Sequence, residues 1–152
     1  MTMTSRGYSF VELLMMLVVL GVLVAVGTPT TDVGRGALDA LAHRLRSDVH
    51  YAQELAMTTG TAHGFRSITS TSYEIFVGVP GTPAIDPYRR TAFVINIPDS
   101  YQNVQFSGVQ PMVTFNSSGS PTIANGPNIV LSDGVATRTI VVTPNTGVAV
   151  IQ

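Results

Sequence analysis

Glu12 is the residue whose surroundings demand chemistry. It stands at the head of an apolar run that has no charged or strongly polar side chain from Leu13 to Gly27. A carboxylate held in hydrocarbon costs on the order of 3 kcal/mol on insertion scales, which calls for a functional reading and a partner. The task open to such a group is to meet a cation inside an apolar layer and, by pairing, to set register between helices. Two other groups of side chains have the right types for chemistry. Asp39, His43 and His50 fall at helical spacings and could form a metal face; without a further converging ligand they read as a solvated polar face, and no metal is expected. His63 could join a serine and an aspartate in a triad, but almost any hydroxyl-rich chain offers that combination. The carboxylates are scattered singly, so neither a calcium cage nor a paired acid and base can be read. The sequence has no nucleophile elbow, phosphate loop, zinc-protease helix or dinucleotide fingerprint. The expectation is a non-enzymatic protein with no catalytic residues and no cofactor.

The element that must position Glu12 is the apolar segment itself. From Phe10 to Gly27, at about 1.5 Å per residue, it makes roughly 27 Å of helix, close to the hydrocarbon thickness of a bilayer. It is rich in valine, a poor helix former in water. In lipid the backbone must satisfy its own hydrogen bonds, so the membrane imposes the helix. Arg6 precedes the span with no acid before Glu12, which keeps the short N-terminus cytoplasmic and sends the remainder across. Pro29 lacks an N–H and crowds the carbonyl of Ala25; with Gly27 it marks a weak point, or equally the end of the membrane segment.

Composition narrows the class. Of the 152 residues only 11% are charged, against about 25% in an ordinary soluble protein. The eight basic residues are all arginine and nine acids leave a net charge of -1, so no general attraction to nucleic acid or anionic lipid is encoded. Cysteine is absent, which removes disulfides and thiol chemistry.

Two processing schemes fit the N-terminus. One is an ordinary secretory signal, with Ala25-Val26-Gly27 as its small-residue cleavage site and a secreted β domain as the product. Such a signal has no reason to carry Glu12, nor a glycine placed before the apolar run. Gly7 followed by Tyr8-Ser9-Phe10-Val11-Glu12-Leu13-Leu14 resembles the type IV prepilin signal, with Tyr8 where that family most often has phenylalanine. The resemblance implies that a prepilin peptidase cuts between Gly7 and Tyr8, that the Tyr8 amine is methylated, and that the helix is retained. It also implies that Phe10 and Glu12 serve subunit assembly, with Glu12 meeting the amine of the neighbouring subunit. That α-amine, with an ordinary pKa of about 7.7 to 8.0, is largely protonated near neutrality and is a natural countercharge. Pilin helices are similar in having a Gly/Pro weak point at the place of Gly27 and Pro29.

Beyond Ala37 the period is helical. Leu38, Leu41, Leu45, Val49, Ala52 and Ala56 form one apolar stripe, while Asp39, Arg46, Asp48, Gln53 and Glu54 fall largely on the other side. Gly60 is the terminator. After it the period becomes two, with expected strands at 62–66, 73–79, 91–97, 104–106, 112–115, 128–131, 138–143 and 148–151. Asp133-Gly134 and Asn145-Thr146-Gly147 signal turns, and the proline-rich stretch 80–88 reads as a loop insertion.

In the C-terminal half, Val113-Thr114-Phe115-Asn116-Ser117-Ser118-Gly119-Ser120-Pro121, then Asn128-Ile129-Val130-Leu131, then Ile140 to Val148 resemble the GspH/FimT group of minor pseudopilins and minor pilins. The fold this implies is α+β and pilin-like: a long N-terminal helix packed on a C-terminal antiparallel β domain of two small sheets, with Gly119 and Gly147 in turns of positive φ. The expected organisation is a leader at 1–7, a transmembrane helix at 8–29, its amphipathic continuation at 30–60 and a periplasmic β domain at 61–152. Expected partners are the prepilin peptidase, membrane lipid before assembly, and other pilins or pseudopilins through the N-terminal helix. The expected place is the bacterial inner membrane and then a filament, near its tip but not at its end. Some FimT-like members bind DNA during uptake, but Val148 stands where the family often has arginine. From Tyr101 onward Arg138 is the one base, with Asp133 in the same stretch, so nucleic acid is not an expected partner.

Overall fold

The computed structural model describes residues 9–27, 33–124 and 126–152. It divides into two units, Met1–Asp32 and Val33–Gln152. The first contains helix α1, Phe10–Gly27. The second opens with helix α2, Val33–Thr59, whose apolar stripe is buried as the spacing predicts: Leu38, Leu41, Leu45, Val49, Ala52 and Ala56 are all inaccessible to solvent. Its C-terminus is closed locally. The hydroxyls of Thr58 and Thr59 donate to the carbonyls of Glu54 and Leu55 at 2.8 and 2.7 Å, and Gly60 turns the chain with φ +68°, satisfying carbonyls that a helix end leaves open.

The strands are β1 (His63–Thr69), β2 (Ser72–Val77), β3 (Val94–Asn96), β4 (Gln105–Phe106), β5 (Met112–Phe115), β6 (Pro121–Ala124), β7 (Asn128–Ser132), β8 (Thr137–Val142) and β9 (Ala149–Ile151). They form two sheets, ordered β3-β2-β1-β5-β6 and β4-β7-β8-β9, and each pairing is antiparallel. The α+β fold expected from the sequence is therefore present in the second unit, with α2 packed on both sheets. Its core joins the stripe of α2 to Phe65, Tyr73, Ile75, Val113 and Phe115 of one sheet and Ile129, Leu131, Ile140 and Val142 of the other.

Strand bounds differ from the sequence reading by a residue or two, except in three places. β1 runs three residues past the expected 62–66, to Thr69. β3 keeps only the end of the expected 91–97 strand, and β6 was not expected at all. β6 opens with Pro121 and sits at the free edge of its sheet, where proline is tolerated because a missing N–H need not break a ladder bond.

The proline-rich loop between β2 and β3 has a structural task. β2 is buried on both faces, and where β3 stops, the loop takes its place: Val77 N–H donates to the Thr82 carbonyl and Ala84 N–H to the Ile75 carbonyl. On the face of β2 away from α2, Glu74 is 2% exposed; it pairs with Arg66 at 2.8 Å and accepts the Gly81 N–H at 2.8 Å, so its buried charge is answered.

Candidate functional site

The residues nominated for assembly lie in one turn. Ser9 precedes α1 and its carbonyl accepts the N–H groups of Glu12 and Leu13 at 2.9 and 3.1 Å. Glu12 thus occupies the first helical turn, where unpaired backbone N–H groups favour a carboxylate. Ser9 and Glu12 also have the spacing of a capping box, a second use for Glu12 that the sequence reading overlooked. Phe10 shares this turn and is 80% exposed. Each described side chain of α1 as far as Val22 is exposed, and nearly all are large and apolar. A helix apolar on every side requires lipid or other helices around it.

Gly27 is the last residue of α1. Gly7, Tyr8 and Pro29, nominated for processing and for the weak point, lie outside the described residues. Side chains of α1 are described only to Val22, and among the described residues no helix is long and apolar enough to cross a membrane.

In the second unit, the residue that sequence reasoning misplaced is Gln53. It is 8% exposed, and its Nε2 donates to the carbonyl of Gly119 at 2.9 Å and of Thr146 at 2.8 Å. Those carbonyls lie in the β5–β6 turn of one sheet and the β8–β9 turn of the other. Both turns need glycine, as expected: Gly119 has φ +78° and Gly147 φ +71°. A Cβ on Gly147 would stand 2.6 Å from Phe115 Cε1 and 2.8 Å from Gln53 Nε2. The spacing that could have revealed Gln53 is its position four residues after Val49, on the buried stripe.

Replacing Gln53 with leucine should cost about 1–3 kcal/mol, mostly from the buried Gly119 carbonyl left without a donor. Thermal unfolding of the detergent-solubilised chain measures it, and an unchanged midpoint would remove Gln53 from any role as a clamp.

The remaining chemically capable residues disperse. Asp39 turns to Arg138, with Nε donating to Oδ1 at 2.6 Å. His43 and His50 are exposed, and His50 faces Glu54 at 3.5 Å. His63 is buried against local groups, its Nδ1 lying 2.8 Å from the Thr61 carbonyl. Asp48 is half-buried beside α2's neighbours: Tyr73 Oη donates to its Oδ2 at 2.6 Å and Arg44 lies at 3.6 Å. Burial lifts the Asp48 carboxyl above its ordinary value despite these two partners, and burial with the adjacent carboxylate raises the Tyr73 phenol. None of these groups assembles a nucleophile, a base and an orienting partner.

Residues 41–147 match the family model described as Type II transport protein GspH. The chain is similar to two crystal structures of the type IV minor pilin FimU from Pseudomonas aeruginosa strain PAO1. One gives a TM-score of 0.53 at 14% identity, covering 76% of this chain and 92% of that one. The other gives 0.53 at 16% identity, covering 78% and 88%. At these identities the likeness speaks for the fold. No curated protein sequence matches.

Proposed function

The chain belongs to the GspH family of type II transport proteins, which makes it a minor pilin or pseudopilin, and from that premise we propose how it is processed and used. A prepilin peptidase cuts between Gly7 and Tyr8 on the cytoplasmic side and methylates the new amine. The segment 8–29 anchors the subunit in the inner membrane, 30–60 continues as an amphipathic helix, and 61–152 projects into the periplasm. The subunit then leaves lipid and packs its helix among other pilin helices, near the filament tip, with Glu12 paired to the amine of a neighbour. Because Glu12 needs that neighbour, another subunit stands beyond it. Crosslinking that captured no subunit ahead of it would contradict this place.

The observation that carries the proposal is a first-turn carboxylate on a helix whose described side chains are apolar on all sides. Lipid can cover those side chains but cannot answer the charge, whereas a bundle of processed helices does both. No catalytic step is assigned. Nucleic acid is left out because Arg138, the one base after Tyr101, is already bound to Asp39 and Val148 brings no charge.

The N-terminus of the mature protein tests the processing step. Edman sequencing or intact mass should give a chain starting at methylated Tyr8; a start at Thr28 would mean that the helix is discarded and would leave only a secreted β domain.

A further inference from the structure

Between α2 and the β2–β3 loop lies a cleft of about 470 Å³, distant in sequence from the processing and assembly residues. One wall is aromatic: Tyr51 of α2 and Phe93 stack with ring centroids 6.0 Å apart and planes at 29°. Tyr88 lines the rim and is 95% exposed, unusual for so large a ring with nothing packed on it. Two carboxylates, Asp48 and Asp86, also line the cleft.

Those carboxylates are in different states. Asp48 has the Tyr73 hydroxyl and the Arg44 guanidinium as partners. Asp86 is 4% exposed and uses Oδ1 to accept the N–H groups of Tyr88 and Arg89 at 2.8 and 3.1 Å. Its Oδ2 accepts no hydrogen bond among the described residues, and no arginine there forms an ion pair with it. Nor is Oδ2 sealed in, since Arg66 Nε is the one described side-chain atom buried without a partner. Solvent therefore reaches it, and Asp86 lines the cleft. With Arg44 beside Asp48, the pocket keeps one carboxylate, Asp86, that has backbone N–H donors but no cation partner among the described residues, beside flat aromatic faces.

A guanidinium satisfies each part of that surface: its planar face stacks on tyrosine, its N–H groups meet a carboxylate oxygen, and it sheds water more readily than an ammonium. We propose that this cleft binds an arginine side chain presented by an adjacent filament subunit. The ligand chemistry stands on the cleft alone; only the source of the arginine rests on the function proposed above.

The test titrates the full chain in detergent micelles with N-acetyl-arginine amide, and separately with N-acetyl-citrulline amide, its neutral isostere. The readout is the ring resonances of Tyr51 and Tyr88. Saturable shifts in the millimolar range are expected with arginine and not with citrulline. Asp86→Asn keeps an acceptor for the loop amides and should weaken binding about tenfold, the effect of losing one charge-assisted contact. Tyr88→Ser, at a position too exposed to affect folding, should weaken it several-fold. Equal response to citrulline, or unchanged affinity in both variants, would overturn the proposal. A photocrosslinker placed at Tyr88 in assembled filaments should capture a pilin subunit. If arginine amide binds but no pilin is captured, the assignment of the partner fails while the site and the filament proposal stand.

Discussion

Substituting alanine for Glu12 should leave the subunit in the membrane and remove it from the filament. Insertion has nothing to lose, because the substitution deletes the one carboxylate in an apolar helix and relieves a cost on the order of 3 kcal/mol. Assembly loses the answer to a neighbour's amine. Breaking a buried ion pair by deleting one partner typically costs 3–5 kcal/mol, since the other charge is left unmatched. At about 1.4 kcal/mol per tenfold, that is a fall of two orders of magnitude or more in incorporation. Immunoblots of sheared filaments and of the membrane fraction, taken from the same cells, separate the two effects. Glu12→Ala protein found in filaments at the wild-type level would refute pairing as the mechanism. Glu12→Gln adds a check on the helix end: it keeps a capping-box side chain beside Ser9 but no charge, so it should behave like alanine if the ion pair matters and like wild type if capping does.

The largest effect on stability is expected at Gly64. It lies in β1 directly opposite Phe76 of β2 and Thr114 of β5, in the interior of the five-stranded sheet. A Cβ there would enter the Phe76 ring and press on the carbonyl oxygen of Val113. The ring is fully buried, and the carbonyl belongs to a strand paired on both sides, so a shift of either disturbs packed neighbours. Gly64→Ala should cost about 3 kcal/mol, the upper end for one added methyl in a packed interior. In a domain of this size that is roughly a 10 °C drop in unfolding temperature. Gly36→Ala is the matched control, because a Cβ at Gly36 meets nothing within 4 Å. Equal unfolding temperatures for the two variants would mean that the sheet relaxes around the methyl.

These two residues were legible in the sequence to very different degrees. Glu12 announces itself, since a charge in an apolar run is visible without any knowledge of contacts. The buried stripe of α2, both hairpin turns and most strands were also readable, because period and turn chemistry are local. What escaped depends on the far side of a contact. Gln53 looks like one more polar residue among Asp48 and Glu54, and its acceptors lie 66 and 93 residues away. Nothing local marks Glu74 or Asp86 as buried, yet Glu74 is covered by the β2–β3 loop and Asp86 is 4% exposed within that loop. β6 was hidden by its opening proline, which only its edge position excuses. At the N-terminus the balance reverses: Gly7, Tyr8 and Pro29 rest on the sequence.

The amide of Gln53 has a mechanical meaning. One side chain on α2 holds a turn from each sheet, so α2 cannot slide along its axis without breaking into both turns at once. A displacement of that helix is therefore felt by a turn of each sheet together. Under the filament role proposed above, a pull on α2 would reach both sheets through the same side chain.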